Sequence, residues 1–449
     1  MEKRYLILNT LVRRYTIETN ATEHLTFIKN QTEAGIHKFK KNEEREHSAR
    51  KCIAYSKAIR RAFPDAKLTW SVSYQALSCQ NRKYRAIRQA LKSIHEEYGD
   101  DIAYCPGGYS ANVYAPREVV NNEMDEAHEM ICAFMGGYKP RSLLAGFLAS
   151  ENIAHAREKW GIKAVQGHAF SQHGIDAWDT DGGVCYPFYP SKTHFLKPAQ
   201  GKDDIIDCLN LDGWSIDFVS ARHNGITGVP KHLQSGTFKL INSRLGVGPI
   251  ETLHRYGVDI GLKEMQSTVN THFSEEALKH NPFGYITDNY EIVEARRVGG
   301  YAKWLAWIKA TYPDTKCLTM ADFAEVYMKE YADNSRLSNM FYQKGSGIDS
   351  SFANQEVVWI MNKAFRMGLL KQKDVEDSGL FLYDLTEYTG NDREPQEVGV
   401  RNWSMMNILN QKQTRPQDKP QRIDDLGKWL SENTRLNERE KGFITEKLR

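Results

Sequence analysis

Short apolar runs alternate with amphipathic helical patterns through residues 1–333. The runs at 4–12, 66–77 and 102–105 have the length and composition of strands, and residues 82–98 place apolar side chains at helical spacing. A strand followed by a helix and a further strand is the pattern of parallel crossover units. The alternation therefore predicts an α/β fold.

The number of repeats distinguishes a barrel from an open sheet. Residues 1–333 have room for roughly seven or eight strands with helices between most of them, which favours a closed β/α arrangement. An open doubly wound sheet usually carries a glycine-rich phosphate turn after its first strand, and Asn9-Thr10 lead into no such turn. We therefore expect a distorted (β/α)7–8 barrel.

The pattern changes after residue 333. Residues 334–350 are polar and contain glycine, which predicts a linker. Beyond them we expect a smaller accessory α+β region at 351–449, with a helix at 354–369 and a strand-like run at 379–390.

Composition excludes several classes of protein. The chain has 449 residues with 60 basic and 57 acidic side chains, so its net charge of +3 gives no strong field for nucleic acid or an anionic membrane. No run approaches the ~20 apolar residues of a transmembrane helix, so we expect a soluble protein. Its seven cysteines include no C-x-x-C pair, which argues against a disulfide framework or a structural zinc cage. The compartment stays open: cytoplasmic as written, or exported if a signal peptide was removed.

Titratable and aromatic side chains crowd into residues 160–198, which begin with a strand-like run. In a parallel barrel the carboxyl ends of the strands meet around one mouth, where catalytic groups gather. We therefore interpret this stretch as part of an active-site mouth. Its polar members are His168, His173, Asp176, Asp179, Asp181 and His194.

Three kinds of chemistry are open to these residues. His168, His173 and Asp176 have the donor types of a divalent metal such as zinc, although loop aspartates also cap turns. Asp179 and Asp181 are candidates for a pair of carboxylates that hydrolyse glycosides. His272 follows a strand-like run at 264–270 and is a candidate general acid or base.

Further residues near the predicted strand ends suit contact with a sugar. Aromatic rings stack on sugar rings, and carboxylates bind hydroxyl groups, although each ring here could equally be core packing. The candidates are Trp178, Tyr186, Tyr189, Trp214, Asp212 and Glu151.

Four segments resemble the polysaccharide deacetylase-like barrel superfamily, a distorted (β/α)7 fold shared with some glycoside hydrolases. They are AIRQALKSIHEEYGDDIAYCPGGYSA (86–111), GGYKPRSLLAGFLASENIAHAREKWGIKAV (136–165), TVNTHF (268–273) and GGYAKWLAWIKATYPDTKCLTMADFAEVY (299–327). The resemblance implies the barrel and a carbohydrate substrate. It also implies that His272 stands where members place a general-acid histidine.

The chain departs from this superfamily at its metal site. Asn9-Thr10 replace the paired aspartates after the first strand, and Pro106 to Ser110 contain no histidine where the superfamily has a His-x-x-x-His motif. The resemblance is closer to a group of bacterial, gut-Bacteroides-type hydrolases that carry a small C-terminal domain.

Three functions follow from these observations. The first is a carbohydrate-active hydrolase, of deacetylase or glycosidase type, that uses Asp179, Asp181, His168 and His272 at the barrel mouth. The second is an inactive deacetylase-like barrel that binds carbohydrate or a partner protein. The third is a metal-dependent hydrolase with a rebuilt His/Asp site.

Overall fold

A computed structural model describes most of the chain. The described residues are 3–15, 18, 42–106, 112–170, 180–222, 245–291, 298–348, 351–397, 403–405 and 420–449.

The predicted α/β alternation is confirmed over the first part of the chain. The strands are β1 (Arg4–Val12), β2 (Thr69–Ser73), β3 (Asp101–Cys105), β4 (Ser142–Leu144), β5 (Ala164–His168), β6 (Pro190–Ser191), β7 (His194–Pro198), β8 (Leu209–Asp212), β9 (Gly284–Glu291) and β10 (Lys316–Leu318). The helices are α1 (Ala49–Ala62), α2 (Tyr74–Ser78), α3 (Arg82–Tyr98), α4 (Arg117–Met135), α5 (Ser150–Trp160), α6 (Arg255–Phe273), α7 (Glu275–His280), α8 (Val298–Thr311) and α9 (Met320–Glu330). Of the helices in the described ranges, none is long and apolar enough to cross a membrane.

Local sequence sets the helix ends. The side chain of Asn81 accepts a hydrogen bond from Tyr84 N and so caps α3, and Gly99 ends this helix with φ +72°. One face of α3 is buried against the sheet through residues such as Ile87, Leu91 and Ile94. The apolar spacing seen in the sequence is therefore the face that packs on the barrel.

The strands form a parallel sheet in the order β10-β1-β2-β3-β4-β5-β8, with β9 also pairing with β1. β9 runs beside β1 from Arg4 to Leu11, so β10 and β2 share the opposite edge of β1. The two open edges of this sheet are β8 and β9. They are joined just after β8, where Ser215 N donates a hydrogen bond to Thr287 O of β9 at 2.8 Å. The predicted distorted barrel is confirmed as a nearly closed ring.

A short segment of the crowded stretch 160–198 fills the rest of the gap between β8 and β9. Phe188 pairs with Asn210 of β8 through two backbone hydrogen bonds of 2.8 and 3.3 Å. On the other side, the Tyr186 hydroxyl accepts from Tyr285 N of β9 at 3.0 Å. Residues 184–188, which we call the seam segment, therefore complete the barrel wall.

The C-terminal part of the chain is an antiparallel sheet with two helices. Its elements are β11 (Ser338–Lys344), β12 (Gln355–Asn362), β13 (Phe365–Gln372), β14 (Gly379–Glu387), β15 (Gln421–Ile423), α10 (Leu426–Glu432) and α11 (Glu438–Leu448). The smaller α+β unit is thus present.

Side chains of this sheet alternate between two cores, as the pleat requires. Phe341, Trp359 and Tyr383 join the barrel core, whereas Met340 and Ile360 pack with α10 and α11. The alternation explains why the helix predicted at 354–369 is wrong. The apolar residues of β12 alternate with a period of two, as in a strand. Residues 363–364 then turn the chain into β13, so the predicted helix covers parts of two strands.

Residues 334–350, predicted to be a linker, contain β11, which pairs with β12 along its whole length. The limits of the barrel and accessory domains stay a prediction.

Candidate functional site

His168 ends β5 as expected and is fully buried. Its Nε2 donates to the Val184 carbonyl oxygen at 2.8 Å, so the imidazole holds the seam segment. Burial lowers the pKa of His168 to about 4, and the ring is therefore neutral at neutral pH.

Asp181 belongs to a buried ion-pair triad. Arg366 Nη2 lies 2.9 Å from Asp181 Oδ1 and 2.8 Å from Asp384 Oδ2, and all three side chains are nearly inaccessible. Arg366 Nη1 also donates to the carbonyl oxygens of Gly183 and Phe170 at 2.8 and 3.1 Å. The Asp181 carboxylate thus joins the stretch before the seam segment to the C-terminal sheet.

His272 lies in a helix, so the prediction that it follows a strand is wrong. The buried residues of α6 include Glu264, Met265, Thr268 and Val269, which recur with the period of a helix. His272 packs against the rings of Tyr186, Phe218 and Phe341, and its Nδ1 lies 3.2 Å from the Tyr186 hydroxyl. Burial lowers its pKa to about 3.

The candidate sugar contacts lie in different environments. Tyr186 and Tyr189 are buried, and the Tyr189 hydroxyl donates to Tyr331 O at 2.7 Å. Glu151 is exposed in the first turn of α5. Trp214 is half-buried just after β8. Of these four residues, Trp214 and Glu151 are reachable from outside.

Asp212 ends β8 and is buried. Its Oδ1 accepts from Phe170 N and Gly213 N, both at 2.8 Å, which joins the ends of β5 and β8. Burial raises the pKa of Asp212 well above its usual range. The two backbone N–H bonds act against this shift, because they favour the charged form.

Four predicted site residues lie outside the described residues: His173, Asp176, Trp178 and Asp179.

A row of amide side chains crosses the barrel from the carboxyl-terminal halves of β1 and β9 to the middle of β5. Asn9 Nδ2 of β1 donates to Asn289 Oδ1 of β9 at 2.9 Å, and Asn289 Nδ2 donates to Gln166 Oε1 of β5 at 2.7 Å. Gln166 Nε2 donates in turn to the His168 carbonyl oxygen at 3.2 Å. Asn9 and Gln166 are fully buried, whereas Asn289 is half-buried. This amide row is the floor of the mouth.

Only part of the amide row was visible in the sequence. Asn9 stood out as a polar residue in an apolar strand, Gln166 sits in the middle of the short strand β5, and Asn289 lies among the other polar residues of β9. The available signal was a polar side chain in the middle of a strand-like run, as Gln166 is in AVQGH.

The described residues of the mouth do not fit a zinc ion. Asn9, Asn289 and Gln166 are neutral, and their amides bond to one another, whereas zinc prefers imidazole, thiolate and carboxylate ligands. His168 uses Nε2 to hold Val184. We therefore derive no chemical step through a metal at these residues.

Comparisons with known proteins agree with this fold. A family described as a domain of unknown function with solved structure, DUF3863, matches residues 1–361, and a second one, DUF3864, matches residues 366–440. The chain belongs to the DUF3863 family. No functionally curated protein matches it.

One solved structure resembles this DUF3863 chain over its full length. It is a protein from Parabacteroides distasonis described as a candidate glycoside hydrolase/deacetylase, with 33% identity and a TM-score of 0.81, covering 100% of this chain and 98% of the other. The predicted resemblance to the deacetylase-like superfamily is thereby confirmed.

Two more distant structures are also similar. A candidate polysaccharide deacetylase from Mycobacterium smegmatis has 12% identity and a TM-score of 0.44, covering 73% of this DUF3863 chain and 91% of the other. A probable polysaccharide deacetylase from Pseudomonas aeruginosa has 9% identity and a TM-score of 0.41, covering 74% and 92%.

Proposed function

We propose that the chain is a carbohydrate-binding barrel that recognises a neutral glycan at the carboxyl ends of β8 and β9, without metal-dependent deacetylation. The observation that carries this proposal is the amide row at the floor of the mouth, whose middle member, Asn289, is half-buried while Asn9 and Gln166 are fully buried. The Parabacteroides distasonis relative, described in carbohydrate terms, supports the substrate class.

Amide groups suit a neutral polyhydroxy ligand. An amide offers both donors and an acceptor, so it can pair with hydroxyl groups without bringing a charge that must be desolvated. The Asn289 amide is also held in place by Asn9 and Gln166, which lowers the conformational entropy lost on binding.

Trp214 lies in the chain between two residues that contact strands of the amide row. It precedes Ser215, which hydrogen-bonds Thr287 of β9, two residues before Asn289 on the same strand. Gly213, also adjacent to Trp214, lies against the Gln166 amide. We infer that the half-buried indole stacks on one face of a sugar ring while the fixed amides pair with its hydroxyls.

Titration calorimetry with oligosaccharides of defined composition tests the proposal. Trp214→Ala and Asn289→Ala are each expected to weaken binding about tenfold or more. Trp307→Ala is the matched control, because Trp307 is also half-buried but lies on α8. No heat of binding from any oligosaccharide with the wild-type protein, or equal loss in the Trp307 control, contradicts the proposal.

A second function, glycan hydrolysis, is favoured by Asp212. A general acid must hold a proton at the working pH, and burial raises the pKa of Asp212 in the direction that this needs. In this alternative Asp212 donates the proton, and Asp179 is the second carboxylate.

Release of reducing ends from a bound glycan separates the two functions. Hydrolysis that Asp212→Asn abolishes while glycan binding persists establishes the enzyme. Binding without turnover by the wild-type protein establishes the binding barrel.

A further inference from the structure

A cavity lies between the C-terminal part of α6 and the C-terminal unit of the chain. It has a volume of about 250 Å³, is partly open to solvent, and is lined by the last turns of α6, by α7, by β11 and by the terminal helix α11. α6 leads through α7 directly to the start of β9, whereas Asn289 is near the carboxyl end of that strand. The cavity is therefore separate from the proposed mouth.

One wall of the cavity is polar and uncharged. It comes from the face of α6 that carries Ser267, Asn270 and Thr271, followed by Ser274. These residues recur at helical spacing, so their hydroxyl and amide groups share one side of the helix. A surface that only packed against the C-terminal part of the chain would be expected to be apolar here.

The facing wall is aromatic and apolar. Tyr342 of β11 is half-buried, and Phe443 of α11 and Met340 of β11 are buried beside it. A cavity with an apolar wall opposite a few polar groups, at the junction of two structural units, is typical of a small-molecule site.

The charged rim argues against an ion as the occupant. Glu276, His280 and Glu446 bring metal-type ligand atoms within 4.8 Å of one another. However, Lys447 Nζ already lies 2.6 Å from a Glu276 oxygen and 2.7 Å from a Glu446 oxygen. Because the Lys447 ammonium pairs with both carboxylates, their charges are balanced without a metal ion.

We propose that this cavity binds one neutral sugar residue, with its ring against Tyr342 and its hydroxyls on the Ser267–Ser274 wall. The substrate class rests on the proposed function, but the site does not. A cavity of this volume has room for one sugar ring inside it. It would serve as an accessory site that holds a chain end of a glycan away from the mouth.

Saturation-transfer NMR of the full chain with glucose, galactose, mannose and N-acetylglucosamine tests this site. The measurement is made in the Trp214→Ala protein, where the mouth is impaired. At least one monosaccharide is expected to receive saturation. Adding Thr271→Phe, which fills the cavity, should raise its Kd about tenfold or more. Thr311→Phe is the control, because Thr311 is exposed at the end of α8.

Tyr342→Ala provides a second variant that removes the aromatic wall without adding volume, and it should weaken the same signal. The cavity site is contradicted if saturation survives in both cavity variants. It is also contradicted if the wild-type protein binds but saturation is already lost in Trp214→Ala. Either result leaves the proposed function intact. Absence of saturation in the wild-type protein and of calorimetric binding overturns both.

Discussion

Asp217 and Glu264 are two buried carboxyl groups that hydrogen-bond to each other where the barrel meets the C-terminal sheet. Asp217 follows β8 and also accepts from Ser351 Oγ at 2.9 Å and from Gln343 Nε2 of β11. Glu264 lies on α6. Two carboxylates this close cannot both be ionised at low cost, so the pair holds a proton.

This pair predicts a loss of stability at alkaline pH. Burial, and the charge of Asp217, raise the pKa of Glu264 well above 4.5, and the pKa of Asp217 is raised by burial as well. A raised carboxyl pKa gives stability that is present below the unfolded-state pKa and is lost as the pH rises through the folded-state value. A tenfold difference in proton affinity between the folded and unfolded states corresponds to about 1.4 kcal/mol.

Glu264→Gln should therefore reduce the fall in the free energy of unfolding between about pH 5 and about pH 9, because an amide keeps a donor toward Asp217 but does not titrate. Urea unfolding at the two pH values measures it. Glu96→Gln on the exposed side of α3 should leave the pH dependence as in the wild type. An unchanged slope in the Glu264 variant contradicts the shared proton.

The triad of Arg366, Asp181 and Asp384 predicts a large effect of one substitution. Arg366→Met leaves two buried carboxylates without a counter-charge and should cost about 3–5 kcal/mol in urea unfolding. Arg422→Met is the comparison, because the Arg422 pair with Asp424 is exposed and should contribute about 0–1 kcal/mol. Equal costs at the two positions would show that the triad is not a structural clamp.

Gly182 predicts a steric cost in the same region. Its φ is +124°, and an added Cβ would lie 2.5 Å from Met405 Cβ. Gly182→Ala should destabilise the protein by about 1–3 kcal/mol, through the strained backbone and the contact together. Gly161 ends α5 with φ +71° and nothing within 4 Å of its Cβ position, so Gly161→Ala carries the backbone cost alone. Thermal unfolding of the two variants should separate the contributions, and a smaller loss for Gly182→Ala refutes the contact.

The buried histidines predict acid sensitivity. Burial lowers the pKa of His272 to about 3, so the folded protein keeps it neutral while the unfolded chain takes up a proton below about pH 6.5. Stability from this group is therefore lost as the pH falls from that value toward the folded-state pKa.

His272→Phe should flatten the stability profile between about pH 6.5 and about pH 4, at a cost of about 1 kcal/mol at neutral pH for the lost bond to Tyr186. His155→Phe is the control, because His155 is half-buried on α5 beside Asp125. If His272 serves hydrolysis instead, the variant would lose turnover of a glycan with little change in stability.

The sequence predicts what depends on local pattern. The strand and helix alternation and the strand at β14 are both readable from spacing and residue type. The helical period of Glu264, Thr268 and His272 was also present, but the β-branched Thr268-Val269 pair favoured a strand. Tertiary packing of α6 overrides that local preference.

Long-range contacts determine the roles of the candidate site residues that the sequence could not predict. From sequence alone, Tyr186 could stack on a sugar or pack in the core. Its hydroxyl contacts His272 and Tyr285, about a hundred residues away in the chain, and these contacts hold the ring in the core. The position of the Asp181 carboxylate is likewise set by its ion pair with Arg366, which is also distant in the chain. Neither partner has a spacing that a local pattern could reveal.

The boundary between the two matched families falls inside one hairpin. DUF3863 ends at residue 361 and DUF3864 begins at 366, whereas β12 and β13 pair from Gln355 to Gln372 on either side of that point. A protein that contained the first family alone would end at β12, whose edge would then lack its partner β13. Phe341 and Trp359 of that incomplete sheet would still pack in the barrel core. The two families are therefore expected to be inherited together, as one unit of selection, and to resist exchange by domain shuffling.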